Sequence, residues 1–292
     1  MDNILSVLIL NRNNSDDLIN IYNDLKKQTF QDFHLIVIDD NSDKSELEKL
    51  LRIKEDRFML YSYPSPWKFG NDNKWNMGLK KAKSTGSKYT YSIQTDMKIN
   101  SKNLLQRLVG FMENNEKCGA ACPTIYNKHG IMTWGPGIEK VRMGKTYNIN
   151  ETFITRNRVM EEMNYINNKL IYFGSEVYFN NQMKLMGYTT SPIEGISVTH
   201  FGGGTSAKSQ YLKDYYRPRT TILILKLFNN DDKFLMKLRY LFWETSEQRS
   251  RIINLLKNFK LLDFIKVFVM FNLGLIAGFL ISVESKHNNK KH

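Results

Sequence analysis

Only two of the 292 residues are cysteines, Cys118 and Cys122. They cannot build a disulfide framework, nor a four-ligand zinc site by themselves. A reduced, cytosolic setting is the expectation. Met1-Asp2-Asn3 leads straight into an apolar stretch with neither a basic leader nor a small-residue cleavage site, so no secretory signal is expected. Internal repeats and low-complexity linkers are lacking. No Gly-Lys-Ser/Thr follows the run Gly202-Gly203-Gly204, which excludes a phosphate loop of that type. Acidic residues are the scarcer charge: 29 Asp and Glu stand against 42 Lys and Arg, a net +13. Apolar residues at 41% and aromatics at 12% nevertheless give enough material for a buried core.

The positive excess is uneven. Residues 207–292 hold 16 Lys and Arg against 7 Asp and Glu, +9 of the total. The same stretch contains the most apolar run, residues 267–283, 17 residues without a charge. A membrane-spanning helix needs ~20 apolar residues, so this run is short. Asp263 and Lys266 close it on one side and Asn272 interrupts it. Basic flanks beside such a helix point first to attachment at an anionic membrane surface, then to a helix packed on the core, and last to a true span. Nucleic acid would also attract this charge, but no nucleic-acid motif accompanies it, so none is expected as a partner.

Along the chain, short apolar runs alternate with stretches of helical spacing. Strands are predicted at residues 4–11, 33–40, 58–63 and 89–94. Helices are predicted from Ser15, which reads as a cap, after Ser42-Asp43, and over residues 74–83. This alternation argues for a mostly parallel α/β sheet covered on both faces. In such sheets ligands bind beyond the carboxyl ends of the strands, which points to Asn11-Arg12-Asn13, Asp39-Asp40-Asn41 and Gln94-Thr95-Asp96. After residue 100 the pattern loosens. Residues 118–126 read as a strand, 128–155 as turn-rich around Trp134, and 176–186 as a helix stopped by Gly187. Nearly everything from about Lys208 onward is helix-compatible.

Taken singly, each candidate has two readings. Asp39 could accept hydrogen bonds from a ribose or base edge, or Asp40, Asn41 and Ser42 could simply form a turn that caps the next helix. Asp96 could hold a hard cation brought in by a diphosphate, or cap the helix after Asn100-Ser101. Glu176 stands at a predicted helix start, where the helix dipole favours a carboxylate; it reads as a first-turn acid or as a general base aimed into a cleft. His200 could complete a metal site with Asp96 or be a structural imidazole. The two cysteines read as core.

In their order and distances these residues resemble family 2 glycosyltransferases of the GT-A fold, closest to rhamnosyltransferase-like sugar transferases, over roughly residues 3–228. The opening SVLILNRNN resembles the family's first strand and its Asn-containing turn. HLIVIDDNSD is similar to the second strand, whose Asp binds the nucleotide. KFGNDNKWNMGLKKA resembles the Asn-x-Gly segment, here Asn76 and Gly78. YSIQTDMKI falls where the metal-binding Asp is found, and FGSEVYFNNQMKLMGY resembles the acidic pair before a helix ending in Gly-Tyr. ISVTHFGGGTS resembles the strand ending in His, and YYRPRTTILILKLF the Arg segment opening the carboxy-terminal helices.

The resemblance implies an inverting, single-sugar transferase taking a nucleotide-sugar donor. It assigns Asn11, Arg12, Asp39, Asn76, Thr95, Asp96 and Arg219 to the donor, and Asp96 and His200 to Mg2+ or Mn2+. It makes Glu176 the catalytic base, and Trp134 a candidate contact to an acceptor sugar, with a core or lid role open beside it. The acceptor is expected to be a glycan or lipid-linked, with the enzyme peripheral at the inner face of the cell membrane. Residues 1–220 would form the transferase domain, 1–99 for the donor and 100–220 for the acceptor. Residues 221–292 would form a helical, basic and apolar extension. Three departures from the family pattern stand out: a single aspartate at Thr95-Asp96-Met97, Ser175-Glu176 in place of an acidic pair, and no Gln-x-x-Arg-Trp motif of the processive synthases. Two rival readings are a sugar-phosphate nucleotidyltransferase, whose glycine-rich opening loop is lacking, and a catalytically silent membrane-associated scaffold.

Overall fold

A computed structural model describes residues 4–63, 70–137, 140–142, 145–147, 152–170, 174–202, 210–228, 237, 241–242, 245–258 and 260–282. Gly203, Gly204 and the basic tail after 282 lie outside them.

The amino-terminal half follows from its uninterrupted apolar runs. Strands β1 (Leu5–Asn11), β2 (Phe33–Asp40), β3 (Phe58–Tyr63) and β4 (Tyr89–Ser92) lie parallel in the order β3-β2-β1-β4. In β1, β2 and β4 most side chains are buried, as both-face coverage requires, whereas the edge strand β3 is only partly buried along its length. Helices α1 (Ser15–Lys26), α2 (Lys44–Leu51) and α3 (Gly70–Ser84) alternate with these strands along the chain. α3 starts four residues before the predicted 74. β4 stops at Ser92 rather than 94, because the chain turns at Thr95-Asp96 into the short strand β5 (Met97–Ile99).

The second half of the sheet is mixed. β10 (Phe153–Arg156) runs antiparallel to both β4 and β6 (Cys118–Asn127). β11 (Thr189–His200) lies parallel to β6 and antiparallel to β5, and β7 (Met132–Trp134) adds to the edge of β6. β8 (Lys140–Arg142) and β9 (Lys145–Tyr147) form a separate hairpin. Four strands therefore occupy the stretch expected to be turn-rich. β10 carries central pairings, although its four residues are too few to show a period.

The remaining helices among the described residues are α4 (Leu104–Asn114), α5 (Asn157–Glu162), α6 (Ser175–Leu185), α7 (Gln210–Phe228), α8 (Ser246–Lys257) and α9 (Leu261–Leu280). The domain division expected at 220/221 falls inside α7. Ile222, Leu223, Ile224, Leu225, Leu227 and Phe228 all belong to the main core, so apolar burial carries that helix across the proposed boundary.

Gly78 shows how the Asn-x-Gly segment serves the fold. A Cβ on this residue would drive into the side chain of Leu8, which is buried on β1, so the glycine lets α3 press directly onto the sheet. We expect Gly78→Ala to cost about 1–3 kcal/mol in urea unfolding through overpacking. Gly110→Ala, where the new methyl meets nothing within 4 Å, should be neutral or stabilise α4 by up to about 1 kcal/mol.

Candidate active site

The carboxyl ends of β2, β1, β4 and β11 are joined by a line of polar contacts. Asp39 ends β2 and is 0% exposed. It accepts hydrogen bonds from Asn11 Nδ2 (3.0 Å), its register partner on β1, and from the Ser42 backbone N–H (3.1 Å) and hydroxyl (2.5 Å). Ser62 Oγ on β3 donates to it at 3.3 Å. The turn reading of Asp39-Asp40-Asn41-Ser42 is thus realised, with Asn41 at φ +56°. The Asp39 carboxylate is its organising acceptor, and the helix that follows is preceded by Asp43 in the cap position.

Ser42 carries the line onward. Its hydroxyl accepts the Asn13 backbone N–H at 2.8 Å, and Asn13 and Asp43 exchange two further hydrogen bonds. Asn14 Nδ2 donates to Thr95 Oγ1 at 3.0 Å. Ser15 is therefore not the cap of α1. Asn14 takes that position with its side chain turned to Thr95, and Ser15 bonds to Glu46 instead. Beyond Thr95, Asp96 Oδ2 lies 3.1 Å from His200 Nε2 at the end of β11, and the Phe201 N–H donates to the Asp96 carbonyl at 2.9 Å. The capping alternative for Asp96 fails, because β5 separates it from α4. Asn11, Asp39, Thr95, Asp96 and His200 therefore stand along one edge, with Arg12 half-buried in the same turn.

The helix that carries Glu176 packs toward this edge, with no hydrogen bond between Glu176 and the edge among the described residues. Glu176 occupies the first turn of α6, entered through Gly174 at φ +88°. Its carboxylate is half-buried and has no polar partner among the described residues. Three residues on, Phe179 packs edge-on against Trp75 of α3 with centroids 5.0 Å apart. Trp75 Nε1 in turn donates to Ser92 Oγ at 2.8 Å, at the end of β4. Trp75 was not among the predicted site residues. Its position in the helix beside Asn76 was the available signal.

Lys74 was missed as well. Buried on α3, it sits 3.3 Å from Asp40 Oδ1 and 4.6 Å from the Tyr63 ring centroid, placing a cation at the ends of β2 and β3.

Two expected donor residues meet somewhere else. Asn76 Nδ2 donates to the Ile166 carbonyl (2.9 Å) and to Asn168 Oδ1 (3.2 Å), while its Oδ1 accepts the Ile166 N–H (3.0 Å). Arg219 Nη1 donates to the Lys169 carbonyl at 2.9 Å, and burial pulls its guanidinium below the usual value. Both side chains clamp residues 166–169, shortly before Glu176; both polar atoms of Asn76 are engaged with protein, as is Nη1 of Arg219. Trp134 also departs from expectation: it lies in β7 at 3% exposure, within the core, so the core alternative is the one realised and its face is not open to an acceptor.

Asp96 and His200 offer one hard oxygen and one imidazole nitrogen. Among the described residues no group of three or more His, Cys, Asp or Glu is gathered for a metal. This donor set fits a divalent cation that keeps most of its shell from water and a diphosphate, as Mg2+ commonly does, and not an all-protein cage.

Alternating parallel strands and a mixed distal half, with a polar carboxyl edge, give an α/β architecture of the GT-A type. The family model for glycosyl transferase family 2 matches residues 6–172. The chain belongs to glycosyl transferase family 2, and is an enzyme of that class. No curated protein matches the sequence significantly. Among solved structures, it is similar to TarS 1–349 of S. aureus in complex with UDP-GlcNAc (TM-score 0.60, 17% identity, 84% of this chain and 72% of that one). It is also similar to the mannosyltransferase PcManGT of Pyrobaculum calidifontis in complex with GDP-Man and Mn2+ (0.59, 10%, 95% and 86%). A third is GalNAc-T7 with UDP, GalNAc and Mn2+ (0.61, 13%), where the match covers 76% of this chain and 48% of that one. At these identities the likeness establishes the fold.

Because Asn76 satisfies both backbone groups of buried Ile166, Asn76→Ala should lower unfolding stability by about 1–3 kcal/mol in urea titration. Donor affinity measured by calorimetry should change by less than about threefold if the side chain only clamps this segment.

Proposed function

We propose that this enzyme transfers one sugar from a nucleotide-sugar donor to an acceptor hydroxyl, with inversion at the anomeric carbon and without processive elongation. The observation that carries this reading is the continuous polar edge from Asp39 through Asn11, Asn14 and Thr95 to Asp96 and His200. A nucleoside diphosphate would lie along it: base and ribose against the turn that buried Asn11 and Asp39 hold, beside Arg12, and the diphosphate toward Thr95, Asp96 and His200. The donors named with the structural neighbours are of this class, UDP-GlcNAc and GDP-Man. The donor sugar is proposed by motif resemblance to be of the rhamnosyltransferase-like kind, and the acceptor a glycan or lipid-linked sugar at the inner face of the cell membrane.

In the reaction, Glu176 takes the proton of the acceptor hydroxyl as that oxygen bonds to the anomeric carbon. The anomeric carbon–phosphate oxygen bond breaks, and the nucleoside diphosphate leaves with the electron pair. Mg2+ or Mn2+ held by Asp96 and His200 would supply positive charge to the leaving diphosphate. The half-buried position of Glu176, with no polar partner among the described residues, leaves its carboxylate available for proton transfer.

Glu176→Gln should reduce transfer by about 10²–10⁴-fold while leaving donor binding intact. Unchanged turnover would remove Glu176 from the chemistry. Thermal-shift screening against nucleotide sugars, with and without Mn2+, tests the donor site directly. The wild-type protein should show a Mn2+-dependent rise in melting temperature with a nucleoside diphosphate, and Asp96→Ala and His200→Ala should each abolish it. Failure of every nucleotide to shift the wild-type protein would favour the silent-scaffold reading.

A further inference from the structure

Helix α9 presents two opposite faces. Val267, Gly274 and Gly278 are buried and lie on one side. A Cβ on Gly274 would collide with the Tyr215 carbonyl and Pro218 of α7, and one on Gly278 with Ile222 and Arg219. The two helix backbones therefore touch along a glycine seam. Lys226 on α7 also donates to the Phe279 and Ile281 carbonyls, at 2.5 and 2.9 Å, fastening the far end of α9.

The other face should be polar in a helix that packs on a domain and meets water. Instead it carries Leu262, Phe268, Val269, Leu273, Ile276 and Phe279, all exposed, Leu262 by 77% and Phe279 by 62%. At 100° per residue these positions fall in one arc centred opposite the seam. Asn272 alone interrupts the arc, and Lys266 stands at its edge. Lys257 and Lys260, at and just beyond the end of α8, are exposed beside the start of the helix.

We propose that α9 docks in the plane of an anionic lipid surface, with this arc sunk among the acyl chains and the lysines at the headgroups. The lysines, set in the region that holds +9 of the chain's charge, complement anionic lipid and not an apolar protein partner. The glycine seam, the kind of surface that pairs helices in membranes, is already filled by α7. Although α9 is long and apolar enough to cross a membrane by length and composition, α7 bars it from doing so. Crossing would draw α7 in alongside it, with the ion pairs Asp214–Arg251 and Arg217–Glu247, into hydrocarbon. The inference rests on the membrane half of the proposed function and is independent of the sugar chemistry.

Co-flotation of the full chain with preformed vesicles tests it. Binding should be at least about tenfold stronger to phosphatidylglycerol–phosphatidylcholine vesicles than to phosphatidylcholine alone. The triple variant Phe268→Ser/Leu273→Ser/Phe279→Ser should lose about tenfold or more, with an unchanged melting temperature and unchanged nucleotide-induced shift. Fluorophores on Leu262→Cys, Val269→Cys and Ile276→Cys should be quenched alike by shallow bromolipids. Three results overturn the proposal: equal flotation of parent and triple variant, deepest quenching at position 269 alone, as a spanning helix gives, or a parent that ignores vesicles and is a dimer by light scattering while the variant is a monomer. Because donor binding is measured separately, loss of vesicle binding leaves the transferase reading standing, and loss of donor binding leaves the docking face standing.

Discussion

A carboxylate withdrawn completely from water has to be given donors, and Asp39 is one. The donors come from three separate pieces of chain: Asn11 on β1, Ser42 in the following turn and Ser62 on β3. Satisfying this one group fixes how β1, β2 and β3 end relative to one another. Because Ser42 also accepts the Asn13 N–H, it sets the turn after β1, and that turn leaves Asn14 aimed at Thr95. Asp96 follows at the next residue, where His200 meets it. Residues separated by more than a hundred positions in sequence thus stand on one edge, Asn11 to Asn14 through the Asp39 network and His200 through the pairing of β11 with β5.

What was legible in the sequence divides along the same physical line. Strands buried on both faces must be uninterrupted apolar runs, so β1 and β2 could be read almost to the residue, and the partly exposed edge strand β3 from its run Phe58–Tyr63. The strand-end carboxylates could be read because little besides a turn or a ligand calls for a charged group where such a run stops. β10 could not, since four residues of Phe153-Ile154-Thr155-Arg156 show no period, and Arg156 is buried only because its guanidinium finds carbonyls on Cys118, Met112 and Asn115. The structural roles of Asn76 and Arg219 were hidden for a different reason. A motif gives residue identity and spacing, but which backbone group a side chain will meet depends on a loop some ninety positions away in the one case and fifty in the other. For Trp134 the neighbouring glycines left a loop contact and a core role both open, and pairing with Ile125 places it in an edge strand over the core.

Of those two clamps, the one made by Arg219 ties α7 to the transferase fold. Residues 166–169 are held on one side by Asn76 of α3 and on the other by Arg219 of α7, and the chain reaches Glu176 within a few residues. Lys169 itself donates to the Ser282 carbonyl just beyond α9. α7 is fixed from below by the core packing of Ile222 to Phe228 and from the side by the glycine seam of α9. Helix α6, which carries the candidate base, packs on α7 through Tyr178 and Phe228, ring centroids 5.5 Å apart. The helix of the candidate base and the helix that presents the arc thus both pack on α7. A division of the chain at 220/221 would cut α7 just ahead of Ile222, Leu223 and Ile224, which belong to the main core.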